Sequence, residues 1–179
     1  MKKIVIINGE CGVGKDMLCE ITKKYYKTEM VSSIDPMKSI AKQIGWDGVK
    51  DTKSRKLLSE LKRLCIEYND FPTNYLLGEV LNFLEGEKEI LFVQIREPLE
   101  IDKFKDAVKQ RFEIICDTLL IRRGDKSIEW GNQSDDNVNN YSYDNIYINN
   151  LPADQVEKDF INFLSTKVCH SPDSISSNK

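Results

Sequence analysis

The sequence predicts a three-layer α/β/α fold around a five-stranded parallel sheet, carried by one domain over residues 1–168. Three observations point there. Lys3 to Ile7 is a nearly continuous β-branched run, the pattern of a strand covered on both faces. A glycine-rich turn and an amphipathic helix follow it directly. Beyond them, strand-like runs alternate with segments of helical period, as a parallel sheet with helices on both faces requires. Ligands in such folds bind outside the carboxyl ends of the strands, so chemistry is expected after Ile7, after Ser33, after Ile95 and near Arg122.

The elements follow in order. The first helix is expected from about Lys15 to Tyr25, and Val31 to Ile34 reads as a short second strand. Asp35-Pro36 opens the next helix, with proline expected at its first position. Leu57, Leu58, Leu61, Leu64, Cys65 and Tyr68 recur at helical spacing and predict a long amphipathic helix. Pro72-Thr73 restarts the chain into a helix whose apolar side is Leu76, Leu77, Val80, Leu81 and Leu84, stopped by Gly86. Glu89 to Ile95 is the third strand, and Ile101, Phe104, Ala107 and Val108 face the core from the next helix. Phe112 to Ile121 gives a fourth strand and Tyr143 to Asn149 a fifth, with Val156, Phe160, Ile161 and Phe163 on a closing helix. Residues 122–140 are polar, the composition of a functional loop or lid. The Ser- and Asn-rich tail, 169–179, is expected to be disordered.

Composition excludes several functions. The 179 residues carry 26 Lys and Arg against 29 Asp and Glu, a formal net charge of −3. Such a chain has no global field for DNA, RNA or anionic lipid, so neither a nucleic-acid nor a membrane partner is expected. A local basic pocket for a phosphorylated small molecule stays open. No apolar run reaches the roughly 20 residues that span a bilayer. Lys2-Lys3 before Ile4 to Ile7 imitates a secretory signal, but the stretch is short and leads into Asn8-Gly9-Glu10, as a buried strand does. Cys11, Cys19, Cys65, Cys116 and Cys169 are odd in number and form no CxxC pair, which argues against disulfides and structural zinc and for a reducing cytoplasm. The single histidine, His170, lies in the tail, so histidine-based catalysis is not expected.

Gly9-Glu10-Cys11-Gly12-Val13-Gly14-Lys15-Asp16 reads G-x-x-x-x-G-K-D. Glycines let the backbone curl so that successive N–H groups converge on phosphate oxygens, and the following helix N-terminus adds its dipole. Lys15 has the reach to stabilise charge on the β- and γ-phosphates. The usual loop ends in Ser or Thr, whose hydroxyl binds Mg²⁺; here Asp16 offers a carboxylate instead, and a metal must offset its charge. The bland alternative is a glycine turn with no ligand, against which stand the strand before it and the helix after it. Cys11 is incidental on this reading.

These residues resemble the P-loop kinase group whose phosphate loop ends in G-K-D, which includes bacteriophage-type deoxynucleoside monophosphate kinases and animal-type phosphomevalonate kinase. Ile34-Asp35-Pro36-Met37-Lys38, Arg55-Lys56-Leu57-Leu58, Val93-Gln94-Ile95-Arg96-Glu97-Pro98 and Tyr143 to Asn150 are similar to further blocks of that group. The resemblance implies an adenylate-kinase-like P-loop NTPase fold with a short lid over about 122–140. It also implies ATP with Mg²⁺ along Gly9, Glu10, Cys11, Gly12, Val13, Gly14, Lys15 and Asp16, and an acceptor phosphate gripped by Arg96 with Asp35, Lys38 and Arg55 nearby. Arg122 and Arg123 fall in the lid, where an arginine stacks on adenine or touches the transferring phosphate. One departure stands out: Gln94 occupies a position where the group tends to have Asp.

Each residue has a plainer reading too. Arg96 at a strand end could instead pair with Glu97 or Glu100, Lys38 and Arg55 could lie on solvated helix faces, and Arg122 and Arg123 could be surface charges. Asp35 could cap a helix as well as serve as a base or metal partner. Trp130 could cover a base if the lid closes, and Ser134-Asp135-Asp136 reads as solvated loop. The expectation is an ATP-dependent phosphotransferase with Lys15, Arg96 and Arg123 catalytic and Asp16 the metal ligand, acting on a phosphorylated small molecule, foremost a (deoxy)nucleoside monophosphate. The alternatives are a non-nucleotide acceptor such as phosphomevalonate, and a nucleotide-binding protein with weak or no transfer. A homodimer through an exposed apolar helix face remains open.

Overall fold

The structure is a computed structural model that describes residues 2–49, 51–124 and 137–169. Five parallel strands, β1 (Lys3–Asn8), β2 (Thr28–Ser32), β3 (Ile90–Gln94), β4 (Asp117–Arg122) and β5 (Asn145–Ile148), form one sheet in the order β2-β3-β1-β4-β5. The predicted class is the observed one. The helices are α1 (Lys15–Thr22), α2 (Asp35–Gln43), α3 (Thr52–Asn69), α4 (Phe71–Glu85), α5 (Pro98–Phe112) and α6 (Ala153–Phe163).

Strand alternation builds two cores. Ile4 and Ile6 of β1, with Leu91 and Val93 of β3, pack against Leu76, Val80 and Phe83 of α4 and Ile101, Phe104 and Val108 of α5. Val5, Ile7 and Phe92 point the other way, with Leu119 and Ile121 of β4, onto Leu18 and Cys19 of α1 and Val156 and Phe160 of α6. Each fully buried phenylalanine contributes about 1.5–3 kcal/mol through the apolar surface it removes from water. Because β1 is central and covered on both faces, its carboxyl end is a rigid platform for the loop that follows.

Several boundaries differ from the sequence reading. The first helix ends at Thr22, and tighter i→i+3 turns carry the chain through Tyr25. The second strand lies earlier, at Thr28–Ser32, because Ile34 already begins the turn into α2. The fourth strand starts only at Asp117: α5 continues to Phe112 and stops where Glu113 turns left-handed, φ 60°. Tyr143 stands before the last strand. The leucine stripe of α3 is not core, since Leu64 is 51% and Tyr68 87% exposed, while Ser54 and Lys62 are the buried residues of that helix. Of the expected lid, Asn137–Asn140 forms a 3₁₀ turn with Val138 fully buried. Trp130, Ser134, Asp135, Asp136 and His170 lie outside the described residues. No helix among the described residues is long and apolar enough to cross a membrane.

Candidate active site

The loop between β1 and α1 is anchored at its root by Asn8, which is 1% exposed. Its side-chain oxygen accepts from the Gly9 N–H at 2.8 Å, and its amide donates to the Arg96 carbonyl (3.1 Å) and the Tyr143 hydroxyl (2.7 Å). Asn8 thus ties the loop to the ends of two neighbouring segments. Glycine is required at two positions. A Cβ on Gly9 would fall 2.5 Å from the Ile121 carbonyl oxygen, and one on Gly14, φ 94°, would fall 2.6 Å from Asn149 Nδ2. Gly14 caps α1, leaving the N–H groups of its first turn directed into the loop, where the helix dipole favours an anion. Lys15 Nζ spans the loop, donating to the Gly9 and Glu10 carbonyls at 2.5 and 2.8 Å. Val13 is buried inward, whereas Cys11 and Gly12 are exposed at the tip.

On the β2/β3 side the structure assembles the expected acceptor corner unevenly. Asp35 does not cap α2 with its side chain: Ile34 occupies the cap, and the carboxylate turns back to accept from the Ser32 N–H at 2.8 Å. Its other oxygen pairs with Lys38 at 2.8 Å, a half-exposed pair of small energetic worth. Arg55 is exposed on the first turn of α3. Arg96 is half-buried just beyond β3. Glu97 and Glu100 converge on the buried Lys62 of α3, at 2.8 and 2.7 Å. Burial raises the Glu100 carboxyl above its ordinary pKa, with Lys62 pulling the other way.

On the β4/β5 side, the amide of Asn149 donates to the Val13 carbonyl at 2.8 Å. The Asn149 N–H donates to the Arg122 carbonyl, and Gly124 N–H to the side chain of Asn150. The Arg122 guanidinium donates to Asn139 Oδ1 (3.2 Å), whose amide reaches Glu10 Oε1 (3.1 Å), so the turn at the end of the polar segment touches the phosphate loop. Arg123 is exposed beside it. Tyr143 donates to the Val138 carbonyl, and burial pushes its phenol up to about 12 against the opposing pull of Asn8 and Arg122, so it stays neutral. Asn8, Asn139, Lys62 and Tyr143 were not legible as site residues. Most of their partners lie far along the chain, and no local pattern singled these residues out.

Between the two sides, Gln94 at the end of β3 donates to Asp16 Oδ1 at 2.9 Å. Asp16 is exposed in the first turn of α1, beside the loop N–H groups. One hard carboxylate next to a phosphate site suits Mg²⁺, which takes one or two carboxylates together with phosphate oxygens and water. Among the described residues there is no cluster of three or more His, Cys, Asp or Glu side chains that could hold a metal ion.

No protein-family model matches the chain, and no curated protein resembles it in sequence. Solved structures do. The tunicamycin resistance protein of Deinococcus radiodurans superposes with a TM-score of 0.57 at 14% identity, over 92% of this chain and 96% of that one. A protein of Chloroflexus aurantiacus provisionally described as a kinase superposes with a TM-score of 0.53 at 9% identity, over 93% and 97%. The likeness is one of fold alone, an α/β architecture of five parallel strands with helices on both faces.

Proposed function

We propose that this protein is an ATP-dependent phosphotransferase acting on a phosphorylated small molecule, foremost a (deoxy)nucleoside monophosphate. The observation that carries the reading is the phosphate loop at the central strand, with Lys15 folded across it and Arg96 one strand away. The triphosphate lies along Gly9 to Asp16, where loop N–H groups and Lys15 meet its oxygens. Arg96 receives the acceptor phosphate, for which a planar guanidinium gives paired hydrogen bonds. Mg²⁺, when bound, neutralises charge on the phosphates, and Asp16 is the residue that would hold it. Transfer then rests on positioning and on fixed positive charge rather than on covalent chemistry. Arg122 and Arg123 enter from the nucleotide side, where their fixed positive charge meets the transferring phosphate; residues 125–136 of the expected lid lie outside the described residues.

A second reading keeps the reaction and changes the acceptor to a non-nucleotide phosphate. ADP release from Mg·ATP with a panel of nucleoside monophosphates and phosphomevalonate distinguishes the two, since each reading names the acceptor class that must respond.

A further inference from the structure

Gln94 is held from three directions. Its side-chain nitrogen donates to Asp16 Oδ1 (2.9 Å) and to Met30 Sδ (3.2 Å), and its backbone carbonyl accepts from the Ser33 N–H (3.1 Å). The assignment of nitrogen and oxygen follows from the network, because a flipped amide would set its oxygen against a carboxylate oxygen. With both amide hydrogens engaged, the side chain has one orientation. The register of β1 on β3, Ile7 beside Gln94, fixes it next to the root of the phosphate loop.

The chemistry of this pair is asymmetric. A carboxylate at position 94 would lie about 3 Å from Asp16 and repel it in the absence of a cation, whereas the amide donates to it. Among the described residues, Asp16 Oδ1 is bonded to Gln94 and Oδ2 has no partner. One oxygen is therefore fixed and the other is presented. It is presented beside the loop that receives a triphosphate, where an uncompensated negative charge opposes nucleotide binding.

We propose that Gln94 is a positioning residue for Asp16, and that Asp16, so held, makes nucleotide binding conditional on a divalent cation. This deepens the phosphotransferase reading and rests on its nucleotide site. Partners that orient a metal ligand are typically worth about 10–100-fold in metal affinity, which sets the scale of the effect.

The test is calorimetric titration of the whole protein with ATP, in Mg²⁺ and in EDTA, with the ratio of the two affinities as the readout. Wild type binds at least about tenfold more tightly with Mg²⁺ than without. Asp16→Asn binds better in EDTA and loses most of that ratio. Gln94→Met, similar in size, lowers the ratio several-fold, and Gln94→Glu raises it by adding a second carboxylate. A folding defect lowers both affinities together and cannot move the ratio in opposite directions for two substitutions at one position. An unchanged ratio in Asp16→Asn, or in both Gln94 variants, overturns the inference while leaving the nucleotide site standing. Wild type that binds equally well in both conditions does the same. Wild type that binds ATP in neither condition overturns the inference and the nucleotide site together.

Discussion

The Asn149 side-chain amide donates to the Val13 carbonyl at 2.8 Å, fastening the phosphate loop to the residue that follows the last strand. The same nitrogen is what a Cβ on Gly14 would strike, at 2.6 Å. The loop therefore owes its shape to a residue 136 positions away as much as to its own glycines.

Asn149→Ala leaves the buried Val13 carbonyl without its donor. A loss of about 1–3 kcal/mol in unfolding free energy is expected, together with weaker ATP binding. Chemical denaturation and ATP titration check both. Gly14→Ala should weaken ATP binding more than it changes stability, because the clash and the positive φ are confined to the loop.

Lys15→Ala removes the ammonium that spans the loop. Transfer should fall by about two to three orders of magnitude, the usual cost of one donor to developing charge. The fold should persist, since Lys15 bonds to loop carbonyls rather than to the core, and circular dichroism with thermal melting verifies that.

Arg96→Ala tests the acceptor corner. The acceptor KM is expected to rise by about tenfold or more while the ATP KM changes little, because the two phosphates meet different elements. Equal effects on both constants would remove Arg96 from the acceptor site.

Lys62 binds two carboxylates from α5 and its cap, and its own side chain is 11% exposed. Lys62→Met takes the buried ammonium away from Glu97 and Glu100, and a loss of about 3–5 kcal/mol is expected near neutral pH. The pH dependence has a definite sign. The Glu100 pKa is raised in the folded state, chiefly by burial, so the native protein holds its proton more tightly than the unfolded chain. Its contribution therefore becomes less favourable as pH rises from the unfolded pKa through the folded one. Removing Lys62 takes away a group that lowers this pKa, which widens the window. Denaturation of Lys62→Met should show part of the lost stability returning as pH is lowered from neutral toward the ordinary carboxylate range.

The turn after β1 and the sheet class were legible because they depend on local signals: Ile4 to Ile7, the glycines at 9, 12 and 14, and regular alternation afterwards. The fourth strand was misplaced because Phe112 to Cys116 is apolar but for Glu113, and a short, mostly apolar run does not tell a helix end from a strand. In the structure Phe112 and Ile114 cover the core from a helix end and a loop, while Ile115 is 74% exposed. The α3 stripe marks a helix, as its spacing predicts. Period shows that a face is apolar, not that anything covers it, and what this helix buries is Ser54 and Lys62. Asp16 and Lys15 could be found in the loop pattern, whereas Gln94 entered the reading only as a missing carboxylate. Its role as a donor to Asp16 depends on the pairing of β1 with β3, which no sequence pattern contains.

The central claim is phosphoryl transfer, and the most direct measurement is ADP release from Mg·ATP with each nucleoside and deoxynucleoside monophosphate and with phosphomevalonate, for wild type and Lys15→Ala. Release that requires one acceptor class and disappears in Lys15→Ala is the expected result. ATP binding with no acceptor-dependent release from any of them would contradict the assignment and leave a nucleotide-binding protein in its place.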